Sequence, residues 1–93
     1  MTPKQIEKIS KALGDPYRLK IMEAIRKNEE KDWLPCTAVV EMLDLAQSTV
    51  SHHIKQLVDA DLLIAEKDGR NAKYRVNKEV LSAYIGYFNP LVS

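Results

Sequence analysis

Gln47-Ser48-Thr49-Val50-Ser51-His52-His53-Ile54-Lys55-Gln56-Leu57-Val58-Asp59-Ala60 sets its apolar residues Val50, Ile54, Leu57 and Val58 at i, i+4, i+7 and i+8. That spacing is one face of an α-helix, predicted over 47–60. At roughly 100° per residue, Ser48, His52, Lys55, Gln56 and Asp59 fall on the opposite side. This outer side carries hydroxyl, imidazole, ammonium and amide groups and no carboxylate before Asp59. Such groups donate to phosphates and read base edges, and a helix N-terminus adds a partial positive charge. Any exposed helix face is polar, so the neighbouring elements must decide between a solvated side and a binding surface.

Upstream, Asp44-Leu45-Ala46 is a tight connector from a shorter helix, about Cys36 to Leu43, whose apolar contacts are Val39, Val40 and Leu43. Downstream of Leu62-Leu63 the period changes to two. Ile64 alternates with polar neighbours, Asp68-Gly69-Arg70-Asn71 supplies a turn, and Tyr74 and Val76 alternate with Lys73, Arg75 and Asn77. This predicts a hairpin. Two helices joined by a short connector and followed by a hairpin make a winged helix-turn-helix. Over 67–75 the wing carries Lys67, Arg70, Lys73 and Arg75 against Asp68 alone. A basic wing beside a carboxylate-poor helix face favours a nucleic-acid surface over two unrelated solvated ones.

The rest of the chain frames this unit. Ile6, Ile9 and Leu13, with Lys4, Lys8 and Lys11 between them, predict an amphipathic helix from Pro3 to Leu13, ended by Gly14. Asp15-Pro16 is a start signal for a second helix running to about Lys27, with Leu19, Ile21, Met22 and Ile25 inward. Asn28 to Asp32 reads as a charged loop. Leu81, Tyr84, Ile85 and Phe88 return to helical spacing until Asn89-Pro90 stops the chain. The expected fold is mainly α with a small β-hairpin, in the order α-α-α-α-β-β-α. It forms one winged helix-turn-helix DNA-binding domain over 1–93 with terminal dimerisation helices.

Composition bounds the function. With 93 residues the chain supports one core. Its net charge of +1 conceals segments of opposite sign: five Lys/Arg against two Asp/Glu in 1–20, three against six in 21–45, and six against five in 46–93. Local basicity matters more than the total. No apolar run is long enough to span a bilayer, and the first residues are polar instead of signal-like, so the expected location is cytoplasmic with no membrane partner. Cys36 is the single cysteine, which rules out an intrachain disulfide.

The run Leu45-Ala46-Gln47-Ser48-Thr49-Val50-Ser51-His52-His53-Ile54-Lys55-Gln56-Leu57 resembles the ArsR (arsenical-resistance repressor) family, as do Asp15-Pro16-Tyr17-Arg18-Leu19-Lys20-Ile21-Met22 before it and Gly69-Arg70-Asn71-Ala72-Lys73-Tyr74 after it. The resemblance spans about residues 9 to 77. It implies a homodimeric repressor whose terminal helices pair across a two-fold axis and whose fourth helix enters the major groove. Two positions depart from the family. Ala46 stands where relatives have a capping Ser, so capping is expected to pass to Asp44 with Gln47 three residues on, as in a capping box. Asp44 itself replaces a turn glycine, where left-handed geometry costs a non-glycine residue energy.

These readings assign residues. Gln47, Ser48, Ser51, His52 and Lys55 are expected to contact DNA, with Thr49 near a phosphate. Arg70 is expected to reach a minor groove, with Lys73 and Arg75 as phosphate contacts. His52 lies about 180° from the centre of the apolar stripe and His53 about 80°, so His53 reads as a packed, hydrogen-bonded boundary residue. Ile6, Ile9, Leu13, Leu81, Tyr84, Ile85, Tyr87 and Phe88 offer more apolar surface than one small domain covers. They are the candidate homodimer interface; a monomer with a broad stripe is the alternative. The Cys-x-Cys metal box of many relatives falls on Pro35 and Thr37, and 78–88 contains no His. No metal or other cofactor is expected, and no inducer is identified. Cys36 and His52 lie on different helices with no orienting acid, so the chain does not read as an enzyme. A winged-helix protein-interaction module without DNA binding is the alternative function.

Overall fold

The computed structural model describes residues 1–28 and 33–93; the charged loop expected over 28–32 falls, from residue 29 on, outside them. The elements in chain order are α1 (Pro3–Leu13), α2 (Pro16–Asn28), β1 (Leu34–Pro35), α3 (Cys36–Leu43), α4 (Gln47–Asp59), β2 (Leu63–Asp68), β3 (Asn71–Val76), α5 (Lys78–Tyr87) and α6 (Asn89–Val92). The expected order holds with two additions. β1 pairs antiparallel with β3, Leu34 opposite Tyr74 and Pro35 opposite Lys73, so the wing becomes a three-stranded sheet ordered β1-β3-β2. A strand of two residues has no alternation to detect, and Pro35 suits it only because β1 is an edge. At the other end Asn89-Pro90 does not stop the chain. Proline is tolerated in a first helical turn, and here it occupies that place in α6.

Local chemistry sets the helix ends. Thr2 and Gln5 form a reciprocal capping box at the start of α1, with Thr2 N–H donating to Gln5 Oε1 at 2.8 Å and Gln5 N–H to Thr2 Oγ1 at 3.2 Å. Asp15 Oδ1 accepts from the N–H groups of Tyr17 and Arg18 at 2.8 and 3.3 Å and so caps α2. The expected cap at α4 is not made. Asp44 is used instead as the C-terminal residue of α3, at φ 52° and ψ 42°, donating its N–H to the Val40 carbonyl. Ala46 precedes α4 and offers no side-chain acceptor. Asp44 cannot serve both ends, because its left-handed backbone commits it to α3.

The core joins every layer. Ile9 and Ala12 of α1, Ile21, Met22 and Ile25 of α2, Val39 of α3, Val50, Ile54 and Leu57 of α4, then Leu62, Leu63 and Val76 are buried together. Each fully buried aliphatic side chain contributes roughly 1.5–3 kcal/mol relative to exposure, so α4 is held by its apolar stripe and leaves its polar arc free. On α2 the expected inward residue Leu19 is 45% exposed. The inward stripe instead runs Arg18, Ile21, Met22, Ile25, a regular i, i+3, i+4, i+7 series in which the first place belongs to a charged side chain only 14% exposed. Ile9, expected at a dimer interface, is 2% exposed inside its own protomer and has no surface left for a partner.

Candidate nucleic-acid interface

Gln47, Ser48, Thr49, Ser51, His52 and Lys55 are all exposed on α4, filling the arc that Val50, Ile54 and Leu57 leave. The first N–H groups of any α-helix lack intrahelical acceptors. With no side-chain cap on Ala46, those of α4 stay available to an external anion. Three side chains of the helix are lightly engaged. Nε2 of His52 lies 3.0 Å from Nε2 of Gln56, and Oγ of Ser51 lies 3.8 Å from the Cys36 thiol. Thr49 and Lys55 extend the arc on either side. Asp59, at the far end of α4, is exposed as well.

The wing stands on β2 and β3, paired from Leu63 opposite Val76 to Asp68 opposite Asn71. Gly69 and Arg70 form its two-residue tip. Gly69 has φ +65°, and a Cβ added there would meet nothing within 4 Å, so backbone conformation and not space calls for glycine. Arg70 is exposed there. Lys73 is half-buried and Arg75 exposed, and each has a neighbour that the linear charge count conceals. Lys73 sits across from Glu66, and side chains directly opposite share a face. The Arg75 guanidinium lies 5.2 Å from the centre of the Trp33 ring. Of the three candidate contacts on the wing, Arg70 is therefore the most open to a ligand, and Lys67, opposite Ala72, is exposed as well.

His53 takes the boundary place expected of it: half-buried, its ring stacked on Tyr17 with centroids 6.1 Å apart, and its Nδ1 3.3 Å from Arg18 Nη1. Arg18 itself carries no signal in the sequence beyond its helical register. Cys36 opens α3 half-buried. Burial pushes the Tyr74 hydroxyl above the ordinary tyrosine range. Among the described residues no three His, Cys, Asp or Glu side chains gather as a metal site. Pro35 has no donor and Thr37 only a hydroxyl, a set that does not fit a thiolate-seeking ion. No described helix is long and apolar enough to cross a membrane.

The terminal helices meet through a 2.7 Å hydrogen bond between Ser10 Oγ and the Tyr84 hydroxyl. Ile6, Leu13, Leu81, Tyr84 and Phe88 are half-buried, while Ile85 and Tyr87 are 60% and 49% exposed. Leu81 and Ile85 also line an open groove of about 890 Å³ between α2 and α5, on which none of the α4 candidates borders.

Comparison with known proteins agrees with this architecture. A family model described as a helix-turn-helix domain matches residues 13–65. The arsenical resistance operon repressor of Staphylococcus xylosus is 36% identical over 81 residues, 87% of this chain and 74% of that protein. The Staphylococcus aureus repressor of the same name is 34% identical over 89 residues, 96% of this chain and 82% of that protein. Among solved structures, an ArsR-like transcriptional regulator from Rhodococcus sp. RHA1 superposes with a TM-score of 0.80 at 17% identity, covering 95% of this chain and 79% of that one. A homodimeric winged helix-turn-helix DNA-binding domain from Mycobacterium bovis gives 0.75 at 20% identity, covering 90% and 75%. By sequence and by fold, the chain belongs to the ArsR family of winged helix-turn-helix transcription regulators.

Proposed function

We propose that this chain is a non-catalytic transcription repressor that binds duplex DNA as a homodimer, setting α4 of each protomer into successive major grooves about 34–36 Å apart on an inverted repeat. The observation that carries this reading is the outward arc of α4, six exposed polar side chains beginning at an uncapped helix N-terminus. The first-turn N–H groups and Thr49 hold a phosphate, Lys55 fixes register, and Gln47, Ser48, Ser51 and His52 face base edges. Arg70 enters the adjoining minor groove, with Lys73 and Arg75 against phosphates. The adjacent α1 and α5 carry Ile6, Leu13, Leu81, Tyr84, Ile85, Tyr87 and Phe88 towards the partner protomer. The homodimeric state of the Mycobacterium bovis relative supports this arrangement.

The test is a Ser51→Ala/His52→Ala double variant, titrated with an operator selected from random duplex DNA. Both residues are exposed, so the fold should persist, while lost base contacts at roughly 1–3 kcal/mol each should weaken specific binding at least tenfold. Unchanged specific binding by the folded double variant overturns the assignment. The opposition of Glu66 to Lys73 on the wing favours a second reading, a protein-interaction module. Salt separates them, because a DNA reader releases counterions and loses affinity steeply as salt rises.

A further inference from the structure

Arg18 is the one charged residue in the inward stripe of α2, and its guanidinium is spent on the protein. Nε donates to the Ala12 carbonyl and Nη2 to the Lys11 carbonyl at 3.1 Å. Both carbonyls belong to the last turn of α1, where an α-helix leaves its acceptors without intrahelical donors and favours a cation. Nη1 lies 3.8 Å from the Asp15 carboxylate and 3.3 Å from Nδ1 of His53. An arginine can only donate, so this last contact uses the ring's Nδ1 lone pair. One side chain thus grips the end of α1, the start of α2 and the middle of α4, at a residue adjacent to His52.

From this geometry we infer that Arg18 is a positioning residue for DNA recognition, locking the rotation of α4 through His53 and tying it to α1, a helix of the proposed dimer face. The inference rests on the DNA-binding reading above. Residues 47–52 reach a groove from one arc, and the apolar stripe fixes that arc only as closely as packed aliphatic side chains resist rolling. A hydrogen bond from a guanidinium anchored at two carbonyls is directional and adds the missing constraint. Tyr17 backs His53 on its ring face. Arg18 makes no phosphate contact in this role, since its donors are engaged at 14% exposure.

The experiment uses two His53 variants alongside Arg18→Lys, with the full chain and its selected operator. His53→Phe keeps a ring against Tyr17 and removes the acceptor; His53→Asn places a carbonyl oxygen near the Nδ1 position. His53→Phe should weaken operator binding about tenfold, the scale of one mismatched base pair, with non-specific binding and the salt slope unchanged and thermal unfolding close to wild type. His53→Asn should recover most of the affinity. Arg18→Lys should behave like His53→Phe where it folds. Wild-type operator affinity in His53→Phe overturns the inference, as does a salt slope reduced by about one, the mark of a lost phosphate contact. So does loss of affinity in both His53 variants in proportion to lost stability. If the wild-type chain enriches no duplex sequence, the DNA-binding reading fails and takes this inference with it.

Discussion

The guanidinium of Arg75 on β3 stacks 5.2 Å from the ring centre of Trp33, the residue that leads into β1. The pairing of β1 with β3 brings the two side chains together, so Arg75 is engaged while Arg70 at the wing tip is exposed. A cation over an indole face at an exposed site contributes about 0.5–1 kcal/mol. Arg75→Ala should therefore lower stability by that amount and reduce operator affinity less than Arg70→Ala, which should leave stability unchanged. Thermal melts and operator titrations of both variants decide this. Equal losses of affinity, with no change in the melting of Arg75→Ala, would show that Arg75 leaves the indole to bind DNA.

Asp44 holds left-handed backbone at φ 52° and ψ 42° between the two helices of the DNA-reading unit. That region costs an L-residue roughly 1–2 kcal/mol, and glycine returns part of the relief through about 0.5–1 kcal/mol of backbone entropy. Asp44→Gly should raise stability by up to about 1 kcal/mol, or several degrees in melting temperature for a domain of this size. A lower denaturation midpoint in the glycine variant would mean that the carboxylate makes a compensating contact.

The helices, the wing and the polar arc of α4 are legible in the sequence because each is written as a period: 3.6 for the stripes and 2 for the strands. What escapes has no period. β1 is two residues long, and the stacking of Trp33 on Arg75 depends on it. Asp44 resembles a cap for α4 because capping chemistry is local, but a backbone conformation set by α3 overrides it. Arg18 escapes for the opposite reason. It sits on the helical register of Ile21, Met22 and Ile25, where an apolar residue is expected, and its acceptors on α1 and α4 are distant in sequence. Hydrophobicity alone therefore points to Leu19, which the structure leaves in solvent. Ile9 belongs to the core and not to an interface because an amphipathic stripe does not say which part meets the protomer's own interior.

Asp15 gives the fold a dependence on acid. Desolvation pulls its carboxyl up, but the N–H groups of Tyr17 and Arg18 and the Arg18 charge together hold it below the ordinary carboxylate range. A depressed folded value means that the contribution is complete above the unfolded value, near 3.9, and is lost as pH falls through the folded one. Asp15→Asn keeps a capping side chain without the charge. It should be less stable than wild type at neutral pH, and the two stability curves should converge below about pH 4. Chemical denaturation from pH 7 down to 3 checks this. Curves that stay parallel throughout would assign the carboxylate no native-state role.

Ile85 and Ile9 separate what the terminal helices do for the protomer from what they do for assembly. Ile85 is 60% exposed on α5, and Ile9 is 2% exposed on the neighbouring α1. A surface substitution of this kind usually changes protomer stability by no more than about 0.5 kcal/mol, so Ile85→Asp should fold. In a two-fold interface the same substitution occurs on both sides, setting two like charges into an apolar contact. The variant should sediment as a monomer at concentrations where wild type is a dimer, and its operator affinity should fall because one half-site no longer holds the second recognition helix nearby. Ile9→Asp should instead lose the folded state, since a carboxylate in that core has no partner. A dimer of Ile85→Asp with wild-type dissociation would place the interface elsewhere on the protomer, away from the exposed side of α5.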